Sequence, residues 1–374
     1  MTPLQKLRYI LESALIEREA EIRCILLGLI SGEHVLLVGP PGTAKSLLCR
    51  SVAAGISACR YCERLLSPTT PPEAIFGPIS LSALREDRYE HIGAGTVSDA
   101  DLVFLDEVFR ASDAINDSLL HLLGPERQAL IGTQQVKVPL ISAIGGSNSF
   151  ADTTHQAAIM DRWLIRRKVS PITRESRERL LYDDLPQVVP VCDVGDIQAA
   201  RRLSQSLAFS QDAKTAMSQI LDELVAAGIK PSDRRSRQAT KIARAAAFLD
   251  NSPDVKPIHL ECLVDVLWDD HHEQPEKADS IITKIANPTG AKVNLVLTKM
   301  REIVKDIGSD KDKRDEAIAK LEELEKEAEK LTTAGNGRAD KALKSVQSER
   351  LRLQASALKI SPELLMQMMK GQKA

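Results

Sequence analysis

Gly39-Pro40-Pro41-Gly42-Thr43-Ala44-Lys45-Ser46-Leu47 stands between a short apolar run, His34 to Val38, and a stretch of helical spacing that reaches Ser57. An apolar run closed by glycine and proline reads as a strand buried on both faces. A glycine-rich turn joining such a strand to a helix start is the setting a phosphate-binding loop requires. Its backbone amides turn inward around phosphate oxygens, and the helix amino end adds positive potential. Lys45 reaches the outer phosphates, and Ser46 offers a hydroxyl to magnesium. Residues Gly39 to Leu47 are therefore the candidate nucleotide contacts. Glycine is usual where this chain has Ala44; a place in the first helical turn would make the methyl tolerable.

Farther along, Leu102-Val103-Phe104-Leu105 is a second apolar strand, and it ends in Asp106 and Glu107. This is a Walker B arrangement: Asp106 holds the magnesium shell opposite Ser46, and Glu107 polarises a water aimed at the terminal phosphate. Similar short runs at Tyr61 to Leu66, Leu140 to Ile144 and Leu164 to Val169 alternate with helical or loop segments. Strands alternating with helices predict an α/β fold with a parallel sheet covered on both faces. Before the loop, Leu4, Leu7, Leu11 and Leu15, then Ile22, Ile25, Leu26 and Leu29, mark two amphipathic helices.

From Arg174 onward helix follows helix, which predicts a nucleotide core over residues 1–172 and an all-helical domain over 173–272. Asn287-Pro288-Thr289-Gly290 suggests a linker over 273–290. Beyond it, Val293, Val296, Met300, Ile303 and Ile307 form one apolar face. Ala317, Leu321, Leu324, Ala328 and Leu331 form another, and Leu343, Val346 and Leu353 a third, with Gly335-Asn336-Gly337 between the last two. Residues 291–374 therefore read as a helical hairpin or small bundle. Its methionine-rich tail, Leu364, Leu365, Met366, Met368 and Met369, suits partner docking or packing back onto the hairpin.

With 374 residues the chain has room for two or three folded units at about 150 residues each. Its 50 basic and 52 acidic residues give a formal charge of -2, and aromatics are 3%. Neither a nucleic-acid coat nor an aromatic platform for single strands fits these values. Six cysteines scattered through so long a chain fit a reducing compartment, and the Cys59-x-x-Cys62 pair lacks the second pair or the histidine of a zinc site. Ile22 to Ile30 is too short to span a bilayer, and residues 1–15 lack a signal-peptide core, so a cytoplasmic location is expected.

Taken together, HVLLVGPPGTAKSLL, ERLLSPTTPPEAIFGPISLSAL, DRYE, ADLVFLDEVFRA, GPERQALIG, the GGSN around Asn148, IMDRWLIR and PSDRRSRQA resemble the MoxR family of AAA+ ATPases, most closely its RavA branch. The likeness runs in order over residues 14–250. It implies an AAA+ core, a helical lid and a ring, usually a hexamer, with ATP and Mg2+ between neighbours. By resemblance Asn148 is the first sensor, Arg162 the arginine finger, with Arg166 or Arg167 as substitutes, and Arg234 or Arg235 the lid's second sensor, bending back toward phosphate. Residues 76–91 and 127–139, the latter turning at Gly132, resemble hairpins that such rings project. The family implies a partner carrying a von Willebrand factor A domain and a chaperone-like or remodelling role on protein targets. A nucleic-acid-remodelling AAA+ motor is the competing reading, against which the charge balance and scarce aromatics weigh.

Overall fold

Val35, Leu36, Leu37 and Val38 carry apolar side chains with no polar alternation, and in the computed structural model all four are buried. They form β1 (Val35–Val38), preceded by α1 (Pro3–Ala14) and α2 (Glu19–Ser31) and followed by α3 (Lys45–Ala54). Next come β2 (Ile56–Ser57), β3 (Tyr61–Leu65), the short α4 (Pro72–Phe76) and α5 (Leu81–Leu84), and β4 (Leu102–Asp106). Then follow α6 (Asp113–Leu122), β5 (Gln128–Ile131), β6 (Gln134–Lys137), β7 (Ser142–Ser147), α7 (Thr154–Arg162) and β8 (Ile165–Lys168). The structure describes residues 1–87, 92–131, 134–151, 154–305, 311–332 and 337–358.

The strands align in the order β3-β4-β7-β1-β8, all parallel, so the expected α/β sheet is present. β1 lies between β7 and β8: Val35 faces Ile144 and Ile165, and Val38 faces Ser147 and Lys168. β7 runs three residues past the expected Ile144, through two glycines that end a strand on propensity alone. Tertiary space explains this. A Cβ on Gly145 would stand 3.0 Å from the Trp163 ring, and one on Gly146 would stand 2.6 Å from Asp106 Oδ1. Residues 127–139 do form an antiparallel hairpin, β5 with β6, although Gly132 lies outside the described residues. The hairpin expected over residues 76–91 falls partly on residues 88–91, outside the described set; in what is described, Pro78 O accepts from Ile92 N at 2.9 Å, and Ser80 caps α5, its Oγ accepting from Ala83 N at 3.3 Å.

A helical layer follows in α8 (Arg174–Tyr182), α9 (Val194–Ser206), α10 (Gln211–Ala226) and α11 (Asp233–Leu249). The helix expected at 260–269 is a 3-10 helix, Pro257–Asp265, opened by Pro257. Between α8 and α9 the two-residue β9 (Cys192–Asp193) pairs with β2, a contact no propensity announces.

The chain divides into two units, 1–278 and 279–374. Most of the expected linker over 273–290 is instead α12 (Gln274–Ala286), with α13 (Pro288–Lys305) starting two residues later. Asn287 Oδ1 accepts from Gly290 N at 2.8 Å, so Asn-Pro-Thr-Gly is a capped helix start with proline in the first turn. In the second unit α13, α14 (Lys311–Thr332) and α15 (Gly337–Leu358) bury Val296, Leu321, Leu324, Ala328 and Val346 together, with Met300, Ile303, Leu331, Leu343 and Leu353 against them. These are the faces read from the spacing; Ile307 and the tail from Leu364 to Met369 lie outside the described residues.

At the amino end of β1 the His34 ring is buried, its Nδ1 accepting from Ala143 N at 2.9 Å. Burial drives its pKa well below 6.5, and Arg127, Arg201 and Arg162 add to that. His259 is shifted the same way, chiefly by burial. As pH falls through 6.5 the unfolded chain takes up protons that native His34 refuses, so stability present above this value is lost toward lower pH. Each pH unit in that window costs up to about 1.4 kcal/mol per histidine. The melting temperature should therefore drop between about pH 7 and pH 5, and His34→Gln should flatten that slope; an unchanged slope would show that His34 is not its source.

Candidate functional site

The loop at the carboxyl end of β1 is set by close approach. Gly39 N donates to Ser147 O at 3.0 Å, and a Cβ on Gly39 would stand 2.2 Å from Val169 O. Gly42 takes φ +79, which its missing side chain permits. Thr43 is buried, and its Oγ1 donates to Pro40 O at 2.9 Å. Pro40, Pro41, Gly42 and Leu47 are exposed around the rim. Behind the loop lies Arg18, which the sequence reading missed. It is 5% exposed and donates to Thr43 O (3.3 Å) and Ser170 O (3.0 Å), stitching the loop to the chain after β8. A lone arginine between two helices carries no sequence signal of such a task.

Lys45 opens α3 and is 8% exposed; its Nζ donates to Gly39 O at 2.6 Å and Pro40 O at 3.2 Å. Burial lowers the Lys45 pKa, against the pull of Asp106 and Glu107. Lys45 Nζ also lies 3.4 Å from Asn148 Oδ1, and Asn148 Nδ2 donates to Glu107 Oε1 at 2.5 Å. Lys45, Asn148 and Glu107, far apart in sequence, thus form one hydrogen-bonded chain. Asp106 ends β4, its Oδ1 accepting from Glu107 N at 3.0 Å in the space that Gly146 leaves. Glu107 sits at φ +55, a conformation that costs a side-chain-bearing residue about 1 kcal/mol and turns its carboxylate out of the strand line. The donor set fits a nucleotide with a divalent cation. Loop amides and an ammonium suit phosphate, while the Ser46 hydroxyl and Asp106 carboxylate are the hard oxygens that magnesium takes.

Arg162 is elsewhere. It ends α7, three residues before Ile165 pairs with Val35, so it stands at the amino end of the strands while the phosphate loop stands at their carboxyl end. Its Nε is buried without a hydrogen-bond partner among the described residues. The substitutes considered for it are committed within the chain. Arg166, 2% exposed, donates to Trp163 O (2.9 Å), Met160 O (3.1 Å) and Trp268 O (2.7 Å). Arg167 faces Asp265 at 3.4 Å and Glu21 at 3.8 Å.

The two lid arginines also separate. Arg235 is 2% exposed and binds Val266 O (2.9 Å) and Asp161 (3.2 Å), whereas Arg234 is 49% exposed and faces Asp161 Oδ2 at 3.5 Å. Asp161 is next to Arg162. Arg234 therefore does not bend back toward the loop of its own chain, as expected from sequence; the bonds of Arg235 to Leu164 O and Val266 O hold the start of α11 at the other end of the sheet.

Comparison with known proteins agrees with this layout. Residues 2–186 match a profile described as the MoxR domain of MoxR-vWA-beta-propeller ternary systems, and residues 213–282 match an AAA lid domain. An uncharacterized protein of Methanocaldococcus jannaschii is 32% identical over 287 residues, 76% of each chain. The chain belongs to the MoxR family of AAA+ ATPases. A second uncharacterized protein of that organism is 33% identical over 275 residues, covering 72% of this chain and 71% of its own. A structural protein of Acidianus two-tailed virus is 24% identical over 208 residues, 52% of this chain and 34% of its own. A solved structure from Cytophaga hutchinsonii, described as a candidate ATPase, superposes with a TM-score of 0.61 at 18% identity, over 76% of this chain and 94% of that one.

This MoxR chain departs from the usual loop at Ala44, and the structure corrects the place assigned to it. Ala44 is not in the first helical turn; it is the N-cap of α3, at φ +65 and ψ 25. Left-handed backbone costs an alanine roughly 1–2 kcal/mol, part of which returns as lower unfolded-state entropy relative to glycine. Ala44→Gly should therefore stabilise the protein by up to about 1 kcal/mol, measured by denaturant titration. A loss of stability would show that the methyl makes a compensating contact.

Proposed function

We propose that this MoxR-family protein is a magnesium-dependent ATPase that works as a ring, a hexamer by family likeness, with each site shared by two subunits. The observation carrying this reading is the split of the machinery. Lys45, Asp106, Glu107 and Asn148 gather at one end of the sheet, and Arg162 and Arg234 stand at the other. A guanidinium at the far end has no path to its own chain's loop, whereas ring packing brings it to a neighbour's.

In this reading the loop amides and Lys45 bind the phosphates of ATP, and Ser46 and Asp106 would hold Mg2+, Asp106 through water. Bound magnesium would neutralise charge on the outer phosphates. Glu107 orients the attacking water and accepts its proton, and Asn148, bonded to Glu107, fixes the carboxylate's direction. Arg162 and Arg234 of the adjacent subunit stabilise charge developing on the transferred phosphoryl group.

We read the protein as nearest the RavA branch, supported by the motifs over residues 14–250 alone. Because the matched profile belongs to systems that pair MoxR with von Willebrand factor A and β-propeller proteins, such partners are assigned here as well. The work is chaperone-like remodelling of protein targets in the cytoplasm; six free thiols suit a reducing compartment, and no described helix is long and apolar enough to cross a membrane. We assign the C-terminal unit to partner docking. Removing residues 287–374 should spare hydrolysis and abolish partner binding; loss of hydrolysis in a folded truncation would reassign that unit to the motor.

Three variants test the site. Lys45→Ala should lose ATP binding, measured by calorimetry. Glu107→Gln should bind ATP and lose about 10²-fold or more in kcat. Arg162→Ala should bind ATP and lose about 10³-fold, yet regain activity when mixed with Lys45→Ala, because each supplies what the other lacks. Full-rate hydrolysis by a strictly monomeric preparation would refute the shared site.

A further inference from the structure

The exposed Arg234 is one end of a chain of charges. Its Nη1 faces Asp161 Oδ2 at 3.5 Å, and the other oxygen of the same carboxylate, Oδ1, faces Arg235 Nη2 at 3.2 Å. Arg235 Nε continues to Asp269 Oδ1 at 3.2 Å, and Asp269 Oδ1 to Arg166 Nη1 at 3.5 Å. The two inner arginines, Arg235 and Arg166, are each 2% exposed and tied to backbone carbonyls on both sides of the boundary between lid and core. Arg166 also binds Met160 O, the carbonyl just before Asp161. Asp161 is thereby fixed from its backbone and from one carboxylate oxygen, although its side chain is 46% exposed.

Its second oxygen holds Arg234, which no other described contact engages. An ion pair with partners 49% and 46% exposed adds little to stability, so stability does not account for the arrangement. Geometry does: Asp161 is the residue before Arg162, so the carboxylate that faces Arg234 is carried on the helix end that carries Arg162. Without an anchored carboxylate, the exposed Arg234 would swing freely in water.

We propose that Asp161 is a positioning residue: its carboxylate, anchored by buried Arg235, holds the lid's exposed Arg234 at the end of α7 that carries Arg162, so that one subunit presents Arg234 in a fixed direction to the nucleotide of the next. The proposal rests on the roles given above to Arg162 and Arg234. Lid and finger then move as one body, and the cost of orienting a long side chain is met before the neighbour's nucleotide arrives. Asp161 itself touches no nucleotide.

A double-mutant cycle on the full-length protein tests this. Asp161→Asn keeps an acceptor for Arg235 and removes the charge. It should lower kcat about tenfold while leaving ATP affinity unchanged, because the loop that binds ATP in the same chain is at the other end of the sheet. Asp161→Glu should restore most of the rate. In an Arg234→Gln background, Asp161→Asn should cost less than about twofold more, since the residue it positions is gone. Equal losses in both backgrounds, or an Asp161→Asn protein at the wild-type rate, would overturn the proposal. Should Asp161→Asn fail to fold because Arg235 loses its partner, the pair Asp161→Asn with Arg235→Met removes the buried charge too, and the same loss in kcat is expected. Wild-type rates in both Arg162→Ala and Arg234→Gln would refute the shared site itself. Losses there with no effect at Asp161 would refute only the tether.

Discussion

Everything in the first unit depends on the parallel pairing of β1 between β7 and β8. Because the three strands run the same way, all their carboxyl ends lie together and all their amino ends lie together. Gly39, Ser147 and Lys168 are thereby brought to one edge, and His34, Ser142 and Ile165 to the other. The loop that cradles phosphate and the strand that ends in carboxylates inherit the first edge. The helix α7, which must return from Ser147 to Ile165, delivers Arg162 to the second. No side-chain interaction decides this polarity; it is a property of parallel strands joined by helical crossovers.

The price of that layout is concentrated at a few backbone positions and buried charges. Ala44 and Glu107 both hold left-handed backbone, and each is adjacent to a residue placed in the phosphate site. Lys45 is nearly buried with its ammonium on loop carbonyls, which keeps it pointed along the loop even though burial disfavours its charge. At the boundary of core and lid, Arg166 and Arg235 are deeper still, and each is surrounded by carbonyl oxygens and one or two aspartates. Breaking any one of these pairs would leave a cation in an apolar setting, so the lid is seated on the core through interactions that tolerate little rearrangement.

The parts legible in the sequence were those with local signatures. Five apolar runs marked the five strands of the main parallel sheet, the loop from Gly39 to Leu47 marked the strand-to-helix turn, and the spacing after Val293 marked the faces of α13, α14 and α15. What stayed hidden needed tertiary information. Gly145 and Gly146 read as a strand end, but they are in the strand because Trp163 and Asp106 fill the space a side chain would take. Asn287 to Gly290 read as part of a linker, yet a single side-chain bond makes it a helix cap. Arg18 had no motif at all. The two arginines of Ser-Asp-Arg-Arg were indistinguishable as letters. Only burial separates them, one locked beneath the lid and one facing water, and only the path of α11 shows which end of the sheet they reach.

The small pairing of β2 with β9 has a mechanical meaning. α3 begins at Lys45 in the phosphate loop, and its ten residues make a rod of about 15 Å. Just past its far end, Gly55 O accepts from Val191 N at 3.0 Å, Ile56 and Ser57 pair with Cys192 and Asp193, and Asp193 caps α9. A short stiff strut thus runs from the phosphate-binding residues to the first residues of α9, with no flexible loop in series. The helix that leaves the phosphate loop is therefore braced at its far end by main-chain hydrogen bonds to the segment that starts α9, so the two helices share an anchor rather than a tether.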